Sequence, residues 1–299
     1  MPELPDVIVY REALERHFGG RTLARVDLKS PFVVRTFEPD VSQLAGRKLL
    51  GVERLGKRLV WRMEGGLLVV FHLMIAGRFH LRKPGALPRS KADLAAFHFG
   101  EDEIDASFFM TEATPKKSVS LHLLEGEAGL RAFDRSGLDV IGSPLEAFRE
   151  RLLCENHTLK RSLTTPRLFD GIGNAYSDEI LHRAGLSPLT WTTRLEDKEI
   201  ERLHAACCDV LGEWTMRLRQ EVGDGFPEKV TAFRPEMAVH GKHQQPCPVC
   251  GSPVQRIRYV DNETNYCARC QTGGRLLADR SLSRLLKGDW PKTIEEWEG

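Results

Sequence analysis

The chain has 299 residues, 41% of them hydrophobic, enough for two domains with cores of their own. Its 43 Lys and Arg stand against 42 Asp and Glu, a net charge of +1, which excludes a globally basic nucleic-acid binder and leaves only locally basic faces. No apolar run reaches the roughly 18 residues of a membrane span, nothing at the start reads as a signal peptide, and seven cysteines in a chain read as cytoplasmic argue against a disulfide framework.

In chain order, Val7, Tyr10, Leu14 and Phe18 recur at helical spacing and predict a helix over 5–19, stopped by Gly19-Gly20. From Leu23 to about Leu124 the pattern turns to short strands, at 49–52, 58–63, 67–71, 97–99, 106–111 and 119–124. Gly65-Gly66 joins the second and third as a hairpin. These segments predict a β-sandwich or barrel fronted by one helix. Gly137, Gly142 and Pro144 mark a linker, after which 145–154, 159–163, 176–184 and 195–222 read as helices. Cys154, Cys207 and Cys208 fall on or near these helices and read as ordinary structural thiols.

Three places carry chemistry. If Met1 is removed, Pro2 becomes a terminal secondary amine; α-amino groups titrate at roughly 7.7–8.0, so such an amine is free far more often than a lysine at neutral pH. Attack on a sugar carbon gives an iminium that draws electrons from neighbouring bonds, and Glu3 next door can supply a proton. Alone, proline at position 2 usually marks only methionine processing. Next, Gly171-Ile172-Gly173-Asn174 is a tight turn running into a helix, whose free amides and dipole suit a phosphate, although a bare glycine turn is more often a helix corner. Last, Cys247-Pro248-Val249-Cys250 and Cys267-Ala268-Arg269-Cys270, 16 residues apart, have zinc-ribbon spacing and close one structural Zn²⁺ site with four thiolates. Residues 254–260 alternate as a strand, 261–264 turn, and Asn265-Tyr266 begin the return. Basic residues cluster at Arg54, Lys57, Arg58 and Arg62, and again at Arg256, Arg258, Arg269, Arg275, Arg280 and Arg284.

Pro2-Glu3-Leu4-Pro5, Gly56-Lys57-Arg58 on a strand, His72-Leu73 before a turn, the Gly171–Asn174 turn and the four cysteines occur together and in order. This set resembles the formamidopyrimidine-DNA glycosylase/endonuclease VIII (Fpg/Nei) family over most of the chain. The resemblance implies an α+β multidomain fold: an N-terminal catalytic β-sandwich with a leading helix (1–134), a linker (135–144), a helix–two-turn–helix DNA-binding domain (145–240), a zinc-finger β-hairpin (241–275) and an extension (276–299). It implies a DNA-repair glycosylase with AP lyase activity, acting on damaged double-stranded DNA as a cytoplasmic monomer. Pro2 would attack the anomeric carbon, Glu3 would protonate the opening ring, and Lys57 would hold phosphate and position the sugar. Elimination in two steps, β then δ, would nick the strand. His72 and Asn174 would bind backbone phosphates around a nucleotide flipped out of the duplex, in a basic cleft. Arg58, Arg78 and Arg161 read as mostly surface charge.

The sequence also departs from the family pattern. Asp6 stands where purine-excising members carry glutamate. Asn262 falls where a zinc-hairpin arginine usually reaches a phosphate, leaving Arg256, Arg258, Arg269 and Arg275 as substitutes. Ile75 or Met74 would fill the gap left by the flipped base, and Lys117 would stand for a second gap-filling arginine, with Ser118 replacing an aromatic wedge. Leu276, Leu277, Leu282, Leu285 and Leu286 suggest a short amphipathic helix packing on the body. These departures keep two alternatives open: an enzyme for abasic sites or unusual lesions, and a non-catalytic DNA-damage-binding protein of the same fold.

Overall fold

In the computed structural model, which describes residues 1–260, 262–278 and 291–298, helix α1 spans Leu4–Phe18, one residue from the predicted limits at each end. It starts with Pro5 in its first turn and a reciprocal cap in which the Glu3 N–H donates to Asp6 Oδ2 at 3.0 Å. Leu4, Val7, Tyr10, Leu14 and Phe18 form its buried face.

The chain divides into two compact units: Met1–Arg135 with Trp214–Thr231, and Ser136–Glu213 with the chain from Ala232 onward. The first is built on eight strands: β1 (Thr22–Leu28), β2 (Arg47–Leu55), β3 (Arg58–Met63), β4 (Leu67–His72), β5 (Gly77–Arg82), β6 (Asp93–Phe99), β7 (Ala106–Glu112) and β8 (Ser120–Glu125). Their order is β5-β7-β6-β1-β2-β3-β4-β8, with every neighbouring pair antiparallel. β1 and β2 pair only through Thr22↔Lys48 and Leu23↔Arg47, and there the sheet divides into two four-stranded halves. Residues at alternate positions point to one face, and the inner faces meet in an aromatic core. Trp61 of β3 lies 4.8 Å from Phe71 and 5.4 Å from both Phe97 and Phe108, and Phe97 stacks on Phe108 at 4.9 Å. The predicted sandwich is therefore present, with α1 packed on it.

Helix α2 (Gly126–Arg131) follows β8. Trp214–Thr231 joins this unit through specific ties. Arg219 makes a two-pronged pair with Glu12 at 2.6 and 2.9 Å, Arg16 donates to Gly223 O at 2.8 Å, and Glu228 accepts from the Leu81 N–H at 2.9 Å.

The second unit contains α3 (Leu145–Leu153), α4 (Leu159–Thr164), α5 (Asn174–Ala184) and the first part of α6 (Asp197–Val222). Helix α5 ends on Gly185 at φ +65°, a left-handed cap that glycine adopts without strain. Strands β9 (Gln255–Arg258) and β10 (Glu263–Tyr266) form the expected hairpin, from Glu263↔Arg258 to Tyr266↔Gln255, and α7 (Ala268–Thr272) carries the last cysteine. Leu276 and Leu277 are buried with Ile257, Tyr266 and Ile294. Asp261 of the expected turn, and Arg280, Leu282, Arg284, Leu285, Leu286 and Trp290 of the extension, lie outside the described residues. Cys207 is buried on α6, where burial pushes its thiol pKa up and keeps it inert.

Candidate active site and nucleic-acid interface

Pro2, Glu3 and Asp6 are buried at the start of α1. Burial lowers the terminal amine of Met1 below its ordinary 8.0; the charges of Glu3 and Asp6 oppose this shift, while those of Arg78 and Lys57 add to it. Four charged side chains thus surround the start of the chain. Aspartate at position 6, a methylene shorter than glutamate, still reaches the Glu3 N–H.

The strand expected at Gly56-Lys57-Arg58 is corrected. The Leu55↔Arg58 pair closes the β2–β3 hairpin, leaving Gly56 and Lys57 as a two-residue turn, with Gly56 at φ +62°. That positive φ favours glycine and matches strand twist, so Lys57 projects from a hairpin tip and not from a sheet face. Arg78, read from the sequence as surface charge, is a tie. It donates to Val230 O and Gly77 O, both at 2.6 Å, and to Ile75 O at 3.2 Å.

His72 ends β4 and pairs with Ser120. Burial, together with the charges of Arg58, Lys57 and His122, pushes its pKa down to about 4. It is therefore a neutral hydrogen-bond donor near pH 7, not a cation. In the β4–β5 loop, Leu73 is buried, Met74 adopts φ +52°, and Ile75 is 70% exposed. Of the two gap-filling candidates, Ile75 is the one that protrudes. Lys117 donates to the backbone carbonyl of Glu112. The Glu112 carboxylate is buried and gathers the β7–β8 loop, accepting from Ser118 N at 2.8 Å, Val119 N at 3.0 Å and Ser118 Oγ at 2.9 Å. The segment that lacks an aromatic wedge is thus an ordered loop.

In the second unit, Gly171 at φ +77° leads into α5. Asn174 Nδ2, expected to serve a phosphate, donates to Glu263 O at 2.9 Å. Behind it lies a network that sequence reasoning missed. Lys160 Nζ donates to Asn174 O at 2.7 Å and to Asp178 Oδ1 at 2.6 Å, and Asp178 Oδ2 meets His240 Nδ1 at 2.8 Å. Glu179 accepts the N–H groups of Ala238, Val239 and His240 at 2.8–2.9 Å. Two adjacent acids, Asp178 and Glu179, beside Ile180 and Leu181 were the available signal, because carboxylates that become buried require partners.

The four sulfurs of Cys247, Cys250, Cys267 and Cys270 lie within 4.8 Å of one another, with Cys250–Cys267 at 3.4 Å and Cys247–Cys270 at 3.9 Å. A tetrahedron with Zn–S bonds of about 2.3 Å needs similar edges, so these residues fit one structural zinc. Of the arginines offered in place of Asn262, the side chain of Arg256 pairs with Glu263 at 3.4 Å and that of Arg269 lies 3.7 Å from Glu295, while the backbone of Arg275 bridges to Thr293. Arg258 is exposed at the tip end of β9, opposite Glu263.

Three family models match this chain: the formamidopyrimidine-DNA glycosylase N-terminal domain over residues 1–109, the formamidopyrimidine-DNA glycosylase H2TH domain over 142–219, and the zinc finger found in FPG and IleRS over 244–273. Formamidopyrimidine-DNA glycosylase of Thermus thermophilus is 32% identical over 288 residues, covering 92% of this chain and 100% of the relative. That of Desulforamulus reducens is 31% identical over 288 residues, covering 91% and 99%. Among solved structures, a Lactococcus lactis Fpg complex with THF-DNA and an inhibitor superposes with a TM-score of 0.80 at 26% identity, covering 91% of this chain and 100% of that one. A second, of the L. lactis enzyme with DNA containing an oxidised pyrimidine, has a TM-score of 0.78 at 27% identity, covering 91% and 100%.

Proposed function

This chain belongs to the formamidopyrimidine-DNA glycosylase/endonuclease VIII family, and we propose that its Pro2 amine, freed by removal of Met1, is the nucleophile with which it excises oxidised bases from DNA. It is a DNA glycosylase with AP lyase activity, carrying one structural zinc. The observation that carries the assignment of Pro2 is the setting of the terminal amine: burial, Arg78 and Lys57 all favour its neutral, nucleophilic form. Removal of Met1 puts a secondary amine among the same charges.

The Pro2 nitrogen attacks C1′, the bond from C1′ to the base breaks, and the base leaves with a proton. Glu3 protonates the ring oxygen as the sugar opens, giving an iminium at C1′. The cation acidifies C2′, whose proton is lost as the 3′ phosphate departs; a second elimination expels the 5′ phosphate. Lys57, on its hairpin tip, holds a phosphate of the flipped nucleotide, and neutral His72 donates to another. Asn174 Nδ2 donates one N–H to Glu263 O, which holds the hairpin in place, and has a second N–H to offer a phosphate. Ile75 occupies the vacated base position, Lys117 supports the strand opposite, and Arg256 and Arg258 serve the phosphate that an arginine at Asn262 would serve. The partner is damaged double-stranded DNA, met by a monomer at the nucleoid. Among the described residues no helix is long and apolar enough to cross a membrane.

Borohydride trapping on a duplex with an abasic site tests the assignment. Processed protein should give a covalent adduct that maps to Pro2 by mass spectrometry and is lost in Pro2→Gly. No adduct from correctly processed protein would remove the nucleophile reading in favour of a non-catalytic damage binder. A panel of lesion duplexes then ranks oxidised purines against oxidised pyrimidines and bare abasic sites.

A further inference from the structure

Helix α5 meets the zinc module along one face. Asn174, Asp178 and His182 recur at four-residue intervals and touch Glu263 O, His240 Nδ1 and Cys247 Sγ respectively. The third contact has no place in the glycosylase mechanism. His182 is buried, and its Nε2 lies 3.3 Å from the Cys247 sulfur, across 65 residues of sequence.

We propose that His182 is a positioning residue of the zinc site, donating its Nε2–H to the Cys247 thiolate from outside the four-cysteine ribbon. A zinc-bound cysteine is deprotonated and can only accept, so the contact fixes the histidine tautomer with the proton on Nε2. Four thiolates on one divalent ion leave excess negative charge on the sulfurs, and N–H donors disperse it. Inside the ribbon, Ser252 serves the Cys250 sulfur through its N–H and its side chain, and the Cys270 N–H serves that of Cys267. Cys247, itself buried, takes a side-chain donor from a helix of the neighbouring motif. The same helix end stays close to the second cysteine pair, since a Cβ on Gly185 would sit 3.5 Å from Cys270 O. His182 therefore orients one ligand and ties zinc occupancy to the helix whose first residue is Asn174.

The test compares full-length, zinc-loaded wild type with His182→Phe, which keeps a flat ring and loses the donor, and His182→Gln, whose Nε2 can reach the same position. The readout is the rate at which zinc passes to an excess of chromophoric chelator at neutral pH. Loss of an outer-shell partner typically costs 10–100-fold in metal affinity, so His182→Phe should release zinc roughly 10–100 times faster, with His182→Gln within about threefold of wild type. Release from His182→Phe at the wild-type rate overturns the proposal, and so does equal acceleration in both variants, because that makes the role one of shape. If His182→Phe does not fold, the glutamine variant decides alone: release at the wild-type rate supports the donor role, and release tenfold faster or more overturns it.

Discussion

Asp178→Asn is the most informative perturbation of the second unit. The Asp178 side chain is fully buried and that of Lys160 only 12% exposed, with Nζ and Oδ1 2.6 Å apart. The other carboxylate oxygen holds His240 at 2.8 Å. Asparagine is nearly isosteric, so packing is preserved and the loss is electrostatic. Removing one partner of a buried ion pair typically costs about 3–5 kcal/mol, because the other charge stays buried without its counter-ion. At roughly 2–4 °C per kcal/mol for a unit of this size, the zinc-loaded variant should unfold roughly 6–20 °C lower. The decisive control is the double variant Lys160→Met/Asp178→Asn. Replacing both charges with neutral groups of similar volume removes the stranded cation, so the double variant should recover most of the loss. Scanning calorimetry of wild type, both single variants and the double variant gives the coupling energy directly. A single variant within about 1 kcal/mol of wild type would show the pair to be solvent-screened, as at a surface. A double variant no more stable than Asp178→Asn would show that the stranded lysine is not the cause. Since Lys160 also donates to Asn174 O, weaker DNA binding should accompany the destabilisation.

For His72 the native pKa of about 4 lies below the ordinary 6.5, so the unfolded chain takes up the proton first as pH falls. Its contribution to stability is complete above pH 6.5 and is lost between there and about 4. Urea unfolding should therefore show wild type losing more stability on acidification to pH ~5 than His72→Gln, and identical pH profiles would refute the depressed value. Ile75→Gly should slow excision from duplex DNA while leaving borohydride trapping on a single-stranded abasic oligonucleotide nearly unchanged; equal loss on both substrates would deny Ile75 a gap-filling role. Chelation of zinc should abolish DNA binding by gel shift while the near-ultraviolet signal of Trp61 and its phenylalanine neighbours persists. Unchanged affinity would separate the hairpin from DNA recognition.

Much of the fold was legible because its signals are local. Helical spacing bounds α1, the Gly65-Gly66 signal between 58–63 and 67–71 predicts the pairing that β3 and β4 make, and two CxxC motifs predict the four-sulfur cluster. The missing information is of two kinds. The sequence suggests a strand at Lys57 because Gly-Lys-Arg carries no hairpin signature as strong as Asn-Gly; only the Leu55↔Arg58 register reveals the turn. In the Lys160–Asp178–His240 network Asp178 and His240 touch across 62 positions, and no periodicity encodes such a contact. The return of Trp214–Thr231 to the first unit is equally silent, since a continuous helical pattern from 197 to 222 has nothing to mark where its partners change. Pro2 lies between these cases: its proposed chemistry follows from its position, but charges around the start of the chain come from Lys57 and Arg78, far along the sequence.

The buried start of the chain imposes an order on maturation. The Met1 amine is partly withdrawn from solvent and Pro2 is buried, so an aminopeptidase that needs an extended N-terminus should trim the folded protein slowly. The methionine should leave most readily while the nascent chain is still loose, before α1 seats against the sandwich. On the proposed role of Pro2, a molecule that folds first keeps a tertiary amide in place of the amine and should be silent. Protein refolded with Met1 intact should then resist added aminopeptidase until urea loosens it, and ready trimming of the native form would show that the end of the chain opens by itself.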